Sequence, residues 1–466
     1  MTLLAGTSTL LPILAAMTTA PAATPPAATP PSPRAVDGTT VLAPAQAPLD
    51  ARIDRGKMTS FPDPAVPRFV APPLPPVFRI ALDDAEVPIS ADAAKAARAA
   101  LDRGLAYLLA SQAADGSWMR GAQVVPTDQR AREGAASVAV TALGAKALAQ
   151  APETPERREA LDKALRFVVR SLEAGGGYDG LAAGGIGNYV ASAVVMGLAT
   201  TERPEFAGQV SEGVAWLRRQ QWDQSEGVQP TDDWFGGAGY GRNGRPDLSN
   251  TQFMLDALRD AGVSPDDPAV QKALVFVSRT QNLPAANPAP WARTGSGDGG
   301  FVYTPANGGE SFASEASGEG RHGEIRPEGA PRSLRSQGSM TYAGFKSLLY
   351  AGLTRDDPRV RAAFDWIRRH WTFAENPGLG QQGLYYYFHA MARCLLAAQQ
   401  PELETMDGAT RNWREELVAA LVARQRDDGR WVNDADRWEE GQPDLVTIYA
   451  VLALEEALKP VVSVGD

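Results

Sequence analysis

The stretch TDDW sets two carboxylates, Asp232 and Asp233, side by side next to Trp234. Adjacent acids beside an aromatic ring can supply a general acid, hold a cation or contact the hydroxyls of a polar substrate. The same four residues also make an ordinary solvated turn. A second group is aromatic: Tyr385, Tyr386, Tyr387, Phe388 and His389 are consecutive, Tyr342 follows LRSQGSMT, and Tyr189 stands in GNYVAS. Ring faces stabilise cationic carbon, and phenol hydroxyls orient polar groups. The His389 imidazole is a base near neutral pH. Tyr and His equally fill cores and cap carbonyls. Arg335, Ser336 and Gln337 precede a helical pattern, where they either bind an anion at a helix N-terminus or end a loop. DDP at 266–268 and at 356–358 is different. There Pro stands at the first helical turn, so the acids before it are helix caps.

These side chains need a frame, and the chain builds one by repetition. RGLAYLLASQAADGSW (103–118) is echoed by KALRFVVRSLEAGGGYDG, EGVAWLRRQQW, KALVFVSRTQN, RAAFDWIRRHW and LVAALVARQRDDGRW. After each comes a more apolar segment, such as NYVASAVVMGLAT (188–200) and VTIYAVLALEEAL (446–458). A helix apolar nearly all round is buried, and one with charge on one side faces water. Six alternations predict an all-α (α/α)6 toroid, with the apolar helices forming the inner wall; an open solenoid is the alternative. Two Gly-rich connections, 225–248 and 283–337, are long for a compact domain, and such loops are often functional. Placed at one end of the toroid, they would roof its mouth.

The chain has 466 residues, 44% of them hydrophobic and 21% charged, with net charge −10. An acidic chain without a basic tract excludes nucleic-acid binding as a first reading. One cysteine, Cys394, permits no internal disulfide, and three histidines leave little for a Cys/His metal site. No motif asks for a cofactor. Residues 1–23 resemble an export leader with Thr18 and Ala20 at the cleavage positions, although the usual basic start is missing. The apolar part is too short to span a membrane. Sixteen of the 36 prolines fall in residues 1–80, an extended-linker composition. The expected organisation is leader 1–23, linker 24–89, toroid 90–460 and tail 461–466, with a periplasmic or secreted location.

RGLAYLLASQAADGSW also resembles the QW motif of squalene and terpenoid cyclases, through Arg103, Gly104, Tyr107, Leu108, Gln112, Gly116 and Trp118. The resemblance to the terpenoid cyclase/protein prenyltransferase superfamily covers roughly residues 97–458. It implies the toroid and an isoprenoid-type ligand in a central cavity. In that motif the Gln bridges a helix end to the next repeat, and the Trp covers it.

Class II cyclases carry D-x-D-D-T where a buried helix starts, and the middle acid protonates the substrate. Here the stretch is DLSNT: Asp247 and Thr251 match, while Ser249 occupies the donor's place and Asn250 its neighbour's. A serine hydroxyl is far too weak an acid for that step. PDLVT, with Asp444 and Thr447, repeats the pattern, so Asp247 reads as a helix cap. The prenyltransferase zinc set is also missing. Gly300 stands where a Cys is expected, and His389 and Cys394 lie about 140° apart round a helix. The candidate catalytic residues are therefore Asp232, Asp233 and His389. The candidate ligand contacts are Tyr342, Tyr385, Tyr386, Trp234, Asn250 and Arg335. Two further readings stay open. One is a non-catalytic exported scaffold binding a protein through 225–248 and 283–337. The other is a carbohydrate-active toroid using Asp232 and Asp233.

Overall fold

A computed structural model describes residues 78–81, 87–119, 127–241, 244–293, 295–306 and 334–460, with backbone alone over 127–136. The leader 1–23, the linker through residue 77, residues 307–333 of the second long loop and the tail lie outside them. Twelve main helices follow in order: α1 (Ala91–Ser111), α2 (Thr127–Gln150), α3 (Pro155–Gly175), α4 (Gly187–Thr200), α5 (Ala207–Gln220), α6 (Leu248–Asp260), α7 (Pro268–Thr280), α8 (Gly338–Tyr350), α9 (Pro358–Arg369), α10 (Leu384–Ala397), α11 (Trp413–Val422) and α12 (Pro443–Ala457). A small antiparallel hairpin, β1 (Glu402–Glu404) and β2 (Thr410–Asn412), precedes α11.

The even-numbered helices form a ring. Each packs on the next, from α2 through α4, α6, α8 and α10 to α12, and α12 packs back on α2. The odd-numbered helices lie outside them, giving the (α/α)6 toroid. Sequence dictates the sorting. Along α9 the buried residues are Val360, Ala363, Trp366 and Ile367, one stripe at helical spacing. Along α4 all but Tyr189 and Ala199 are buried. Asp267 and Asp357 each accept a backbone N–H two residues on, capping α7 and α9 ahead of their prolines.

One device recurs between neighbouring units. The amides of Gln112, Gln221, Gln281 and Gln425 each donate to two carbonyls. One belongs to a glycine of the following loop: Gly116, Gly236, Gly299 or Gly429. The other belongs to a first or middle turn of the next outer helix: Ala160, Ala269, Arg359 or Ala100. The Gln425 bond to α1 ties the last unit to the first. A threonine on each following inner helix completes the joint. Thr141, Thr251, Thr341 and Thr447 accept the N–H of Trp118, Ala238, Phe301 and Trp431. The loop glycines sit at positive φ, +80° at Gly236, where a Cβ would strike the Lys272 carbonyl.

The C-terminal ends of the inner helices close over buried charge. Lys146, Lys346, Arg393 and Lys459 face Asp256, Asp260, Glu455 and Glu456, and all eight are buried. Arg393 reaches Asp256 at 3.2 Å and Asp260 at 3.1 Å, while Lys346 bonds Asp256 at 2.7 Å. Lys146 bonds Asp260, and Lys459 bonds Glu456 at 2.9 Å. Cations near helix C-termini also meet the negative end of the helix dipoles. Below them, Ile80 donates to the Gln150 carbonyl at the end of α2 and Ala81 to the Leu458 carbonyl just past α12, and Phe78 lies under Lys146. This end of the ring is a solid ionic floor.

Candidate functional site

The opposite end is hollow. A cavity of about 710 Å3 opens there, and all six inner helices contribute to its wall. The threonine joints set which residues reach it. Two positions before each joint threonine stand Ala139, Ser249, Ser339 and Leu445, and all four line the cavity. Two positions after Thr251 and Thr447 stand Phe253 and Tyr449, which line it as well. The long loops add Tyr240 and Tyr303, whose hydroxyls are 3.3 Å apart. The described parts of both Gly-rich connections thus form part of the wall.

Aromatic rings follow one another round this wall. Tyr189 meets Tyr240 and Phe253 edge-on, at 5.6 and 5.2 Å between centroids. Phe253 stacks with Tyr386 at 6.3 Å, and Tyr386 meets Tyr449 at 6.1 Å. Among the described residues, the charged groups of the wall are Glu439 and Glu440. Glu440 accepts from Asn433 Nδ2 at 2.6 Å and from the backbone N–H of Tyr386 at 2.8 Å. It therefore caps the start of α10, and burial raises its carboxyl above the usual range. Trp438 and Glu439 hold φ of +59° and +65°, a strained turn at the cavity wall. Gly383 makes room for it, since a Cβ there would lie 3.2 Å from the Trp438 ring.

The residues singled out from sequence are scattered relative to this cavity. Tyr386 lines it. Tyr385 and Tyr342 are buried behind the wall, and Tyr342 meets Tyr387 edge-on at 5.6 Å. His389 stacks on the Tyr449 ring at 5.6 Å and is not part of the cavity wall. Burial, and then Arg393, Lys346, Lys146 and Lys459, hold its pKa well below the usual histidine value, so the imidazole is neutral. Arg335 donates to the Gly378 carbonyl at 3.2 Å, in a loop beside the α8 start.

Asp232, Asp233 and Trp234 stand outside the cavity wall. The Arg279 guanidinium bonds the carbonyls of Pro230 and Asp232, and Asp232 accepts from Gln229 N at 2.8 Å. Trp234 meets Trp222 edge-on at 4.8 Å. Burial raises the Asp233 carboxyl, and Arg279 opposes it. Among the described residues, no group of His, Cys, Asp and Glu is placed to hold a metal ion, and no helix is long and apolar enough to cross a membrane.

DLSNT is a joint with a cavity face. Asp247 caps α6 through Asn250 N at 2.8 Å and takes the Asn250 amide at 2.9 Å. Asn250 in turn receives the Asn188 amide on its carbonyl, at 2.8 Å. Asp444 of the matching PDLVT does not cap its own helix; it accepts Tyr107 Oη at 3.2 Å and Met119 N at 3.0 Å. The two motifs share the threonine joint and differ in the job of the acid.

Burial pushes the Asp247 carboxyl up to about 6, against the pull of the Asn250 donors and the Tyr303 hydroxyl. The unfolded chain has this group near 3.9. A raised folded-state value favours folding at low pH, and that contribution is lost as pH rises from about 4 through 6. The difference in unfolding free energy between wild type and Asp247→Asn therefore falls by on the order of 2–3 kcal/mol from pH 4 to pH 7. Urea titrations of both proteins at the two pH values measure it. A difference that does not move with pH contradicts the assignment.

No protein-family model matches the chain, and no curated protein matches it. Solved structures do. An inactive variant of the α-1,6-mannanase GH76A of Salegentibacter sp. HEL1_6, in complex with α-1,6-mannotriose, aligns at 9% identity over 78% of this chain and 98% of that chain, with a TM-score of 0.48. The type II terpene cyclase MstE from Scytonema aligns at 12% identity over 78% and 98%, with a TM-score of 0.33. A variant of that cyclase in complex with geranylgeranyl dihydroxybenzoate (substrate) aligns at 13% identity over 79% and 99%, with a TM-score of 0.32.

Proposed function

We propose that this protein binds an apolar, isoprenoid-type molecule in the cavity at the mouth of its helical ring, as a terpenoid-cyclase-like protein that works without the class II acid. The observation that supports this is the continuous aromatic wall, with rings from Tyr189 round to Tyr449 and few charges. Pockets of roughly 300–1,000 Å3 lined by aromatic and apolar groups suit small-molecule ligands. Ring faces also attract cationic carbon, so the wall suits carbocation chemistry as well as storage. Export, read from residues 1–23, is part of the proposal.

A carbohydrate reading has its own supporting observation. Glu439, Glu440 and the exposed Trp438 stand together at the wall, and an indole beside carboxylates suits sugar binding. The backbone bonds that occupy Glu440 weigh against a free catalytic acid there. A ligand panel separates the two. C15–C30 isoprenoids raise the thermal unfolding midpoint by mass action, and oligosaccharides leave it unchanged. A shift with oligosaccharides alone reverses the proposal.

A further inference from the structure

Three hydroxyls meet on the side of the cavity nearest the ionic floor. Tyr189 Oη donates to Ser249 Oγ at 2.7 Å, and Ser249 Oγ lies 3.0 Å from Tyr386 Oη. Tyr386 Oη also accepts from Gln252 Nε2 at 2.8 Å. The direction of that last bond is dictated from below. The Lys346 ammonium has donors only, and it lies 2.7 Å from Gln252 Oε1. The amide oxygen must therefore face the lysine, which turns the amide NH2 toward the tyrosine. Lys346 is itself anchored on Asp256 at 2.7 Å. The buried floor thus orients Gln252, and Gln252 makes the Tyr386 oxygen an acceptor.

The protons can then be counted. Three hydroxyls carry three hydrogens. The two oxygen–oxygen contacts consume two of them, so one hydrogen has no acceptor among the described residues. If Ser249 donates to Tyr386, the spare hydrogen is on Tyr386; if Tyr386 donates to Ser249, it is on Ser249. Both residues line the cavity. A buried donor without an acceptor is costly, and such groups are normally satisfied.

We infer that Tyr189, Ser249 and Tyr386 form a donor site for one oxygen of the ligand. The ligand is then an oxygenated isoprenoid, carrying a carbonyl, ether or hydroxyl oxygen at one end, and not a pure hydrocarbon. This rests on the cavity being an apolar-ligand site. Serine at position 249 has a definite task in this account: it joins two tyrosines from different helices into one donor.

The test compares an acyclic C20 isoprenoid hydrocarbon with a ketone of matched size, which can only accept. Calorimetry on the full chain should show the ketone bound about tenfold more tightly. The triple variant Tyr189→Phe/Ser249→Ala/Tyr386→Phe should lose the preference, binding ketone and hydrocarbon with equal affinity. Equal wild-type affinities, or a preference that survives in the variant, would overturn the donor site and leave the cavity reading standing. Binding of neither probe would overturn both. Infrared spectra of the wild-type ketone complex provide a check that needs no variant. The carbonyl stretch should fall below its position in hydrocarbon solvent, and an unshifted band contradicts the inference.

Discussion

Replacing Arg393 by Ala lowers the stability of the folded chain by about 3–5 kcal/mol, because it leaves buried carboxylates without their shared cation. The guanidinium serves Asp256 and Asp260 and lies 3.8 Å from Glu456. Lys346 and Lys146 remain, each holding one aspartate, but two point charges cannot replace a planar donor fork that spans both. The floor gains little net stability from its charges as a set, since each has been taken out of water; the loss comes from breaking the set. Urea denaturation measures it. The exposed Arg158–Glu153 pair is the natural control, and breaking it should change stability by less than about 1 kcal/mol. A loss that small at Arg393 would contradict the buried ionic floor.

Replacing Ala139 by Trp weakens binding of an isoprenoid ligand by about 100-fold or more, roughly 2.7 kcal/mol. Ala139 lines the cavity two residues before the Thr141 joint, so an indole there projects into space the ligand needs. It is only half-buried, and its side faces the hollow, so the fold should tolerate the added volume better than a packed site would. Calorimetry with the tightest wild-type ligand, beside a thermal melt, separates lost binding from lost structure. Undiminished affinity in a folded variant would place the ligand elsewhere.

Much of the architecture is legible in the chain, and the reason is periodicity. Helices such as NYVASAVVMGLAT and RAAFDWIRRHW differ in how far round the apolar residues extend, and that difference separates inner wall from outer wall. The repeated glutamines and loop glycines mark the joints between units. The wall of the cavity is harder to read. Consecutive aromatics such as Tyr385, Tyr386 and Tyr387 point in different directions round a helix, so one faces the cavity and its neighbours face the core. Tyr240, Tyr303, Asn376 and Trp438 come from loops whose course no periodicity predicts. A usable signal did exist at the inner-helix starts. The threonine that accepts a loop N–H sets the register, and counting two residues back from it finds Ala139, Ser249, Ser339 and Leu445.

The floor shows a different limit. Lys146, Asp256, Lys346 and Glu455 each look like a surface charge that happens to fall in an apolar helix. Their meaning emerges only when ring closure brings six helix ends together, which is a long-range fact. His389 illustrates the consequence. Its type suits a base, but its burial against Tyr449, with four cations acting on it, keeps it neutral.

On the proposal, the hollow end of the ring holds an apolar, isoprenoid-type molecule. Native mass spectrometry of the protein purified from its host, with lipid extraction of the same sample, tests it most directly. A mass excess over the bare chain and recovery of an oxygenated isoprenoid-type compound in the extract are expected. A bare mass, together with no binding to any member of an isoprenoid panel, would contradict it.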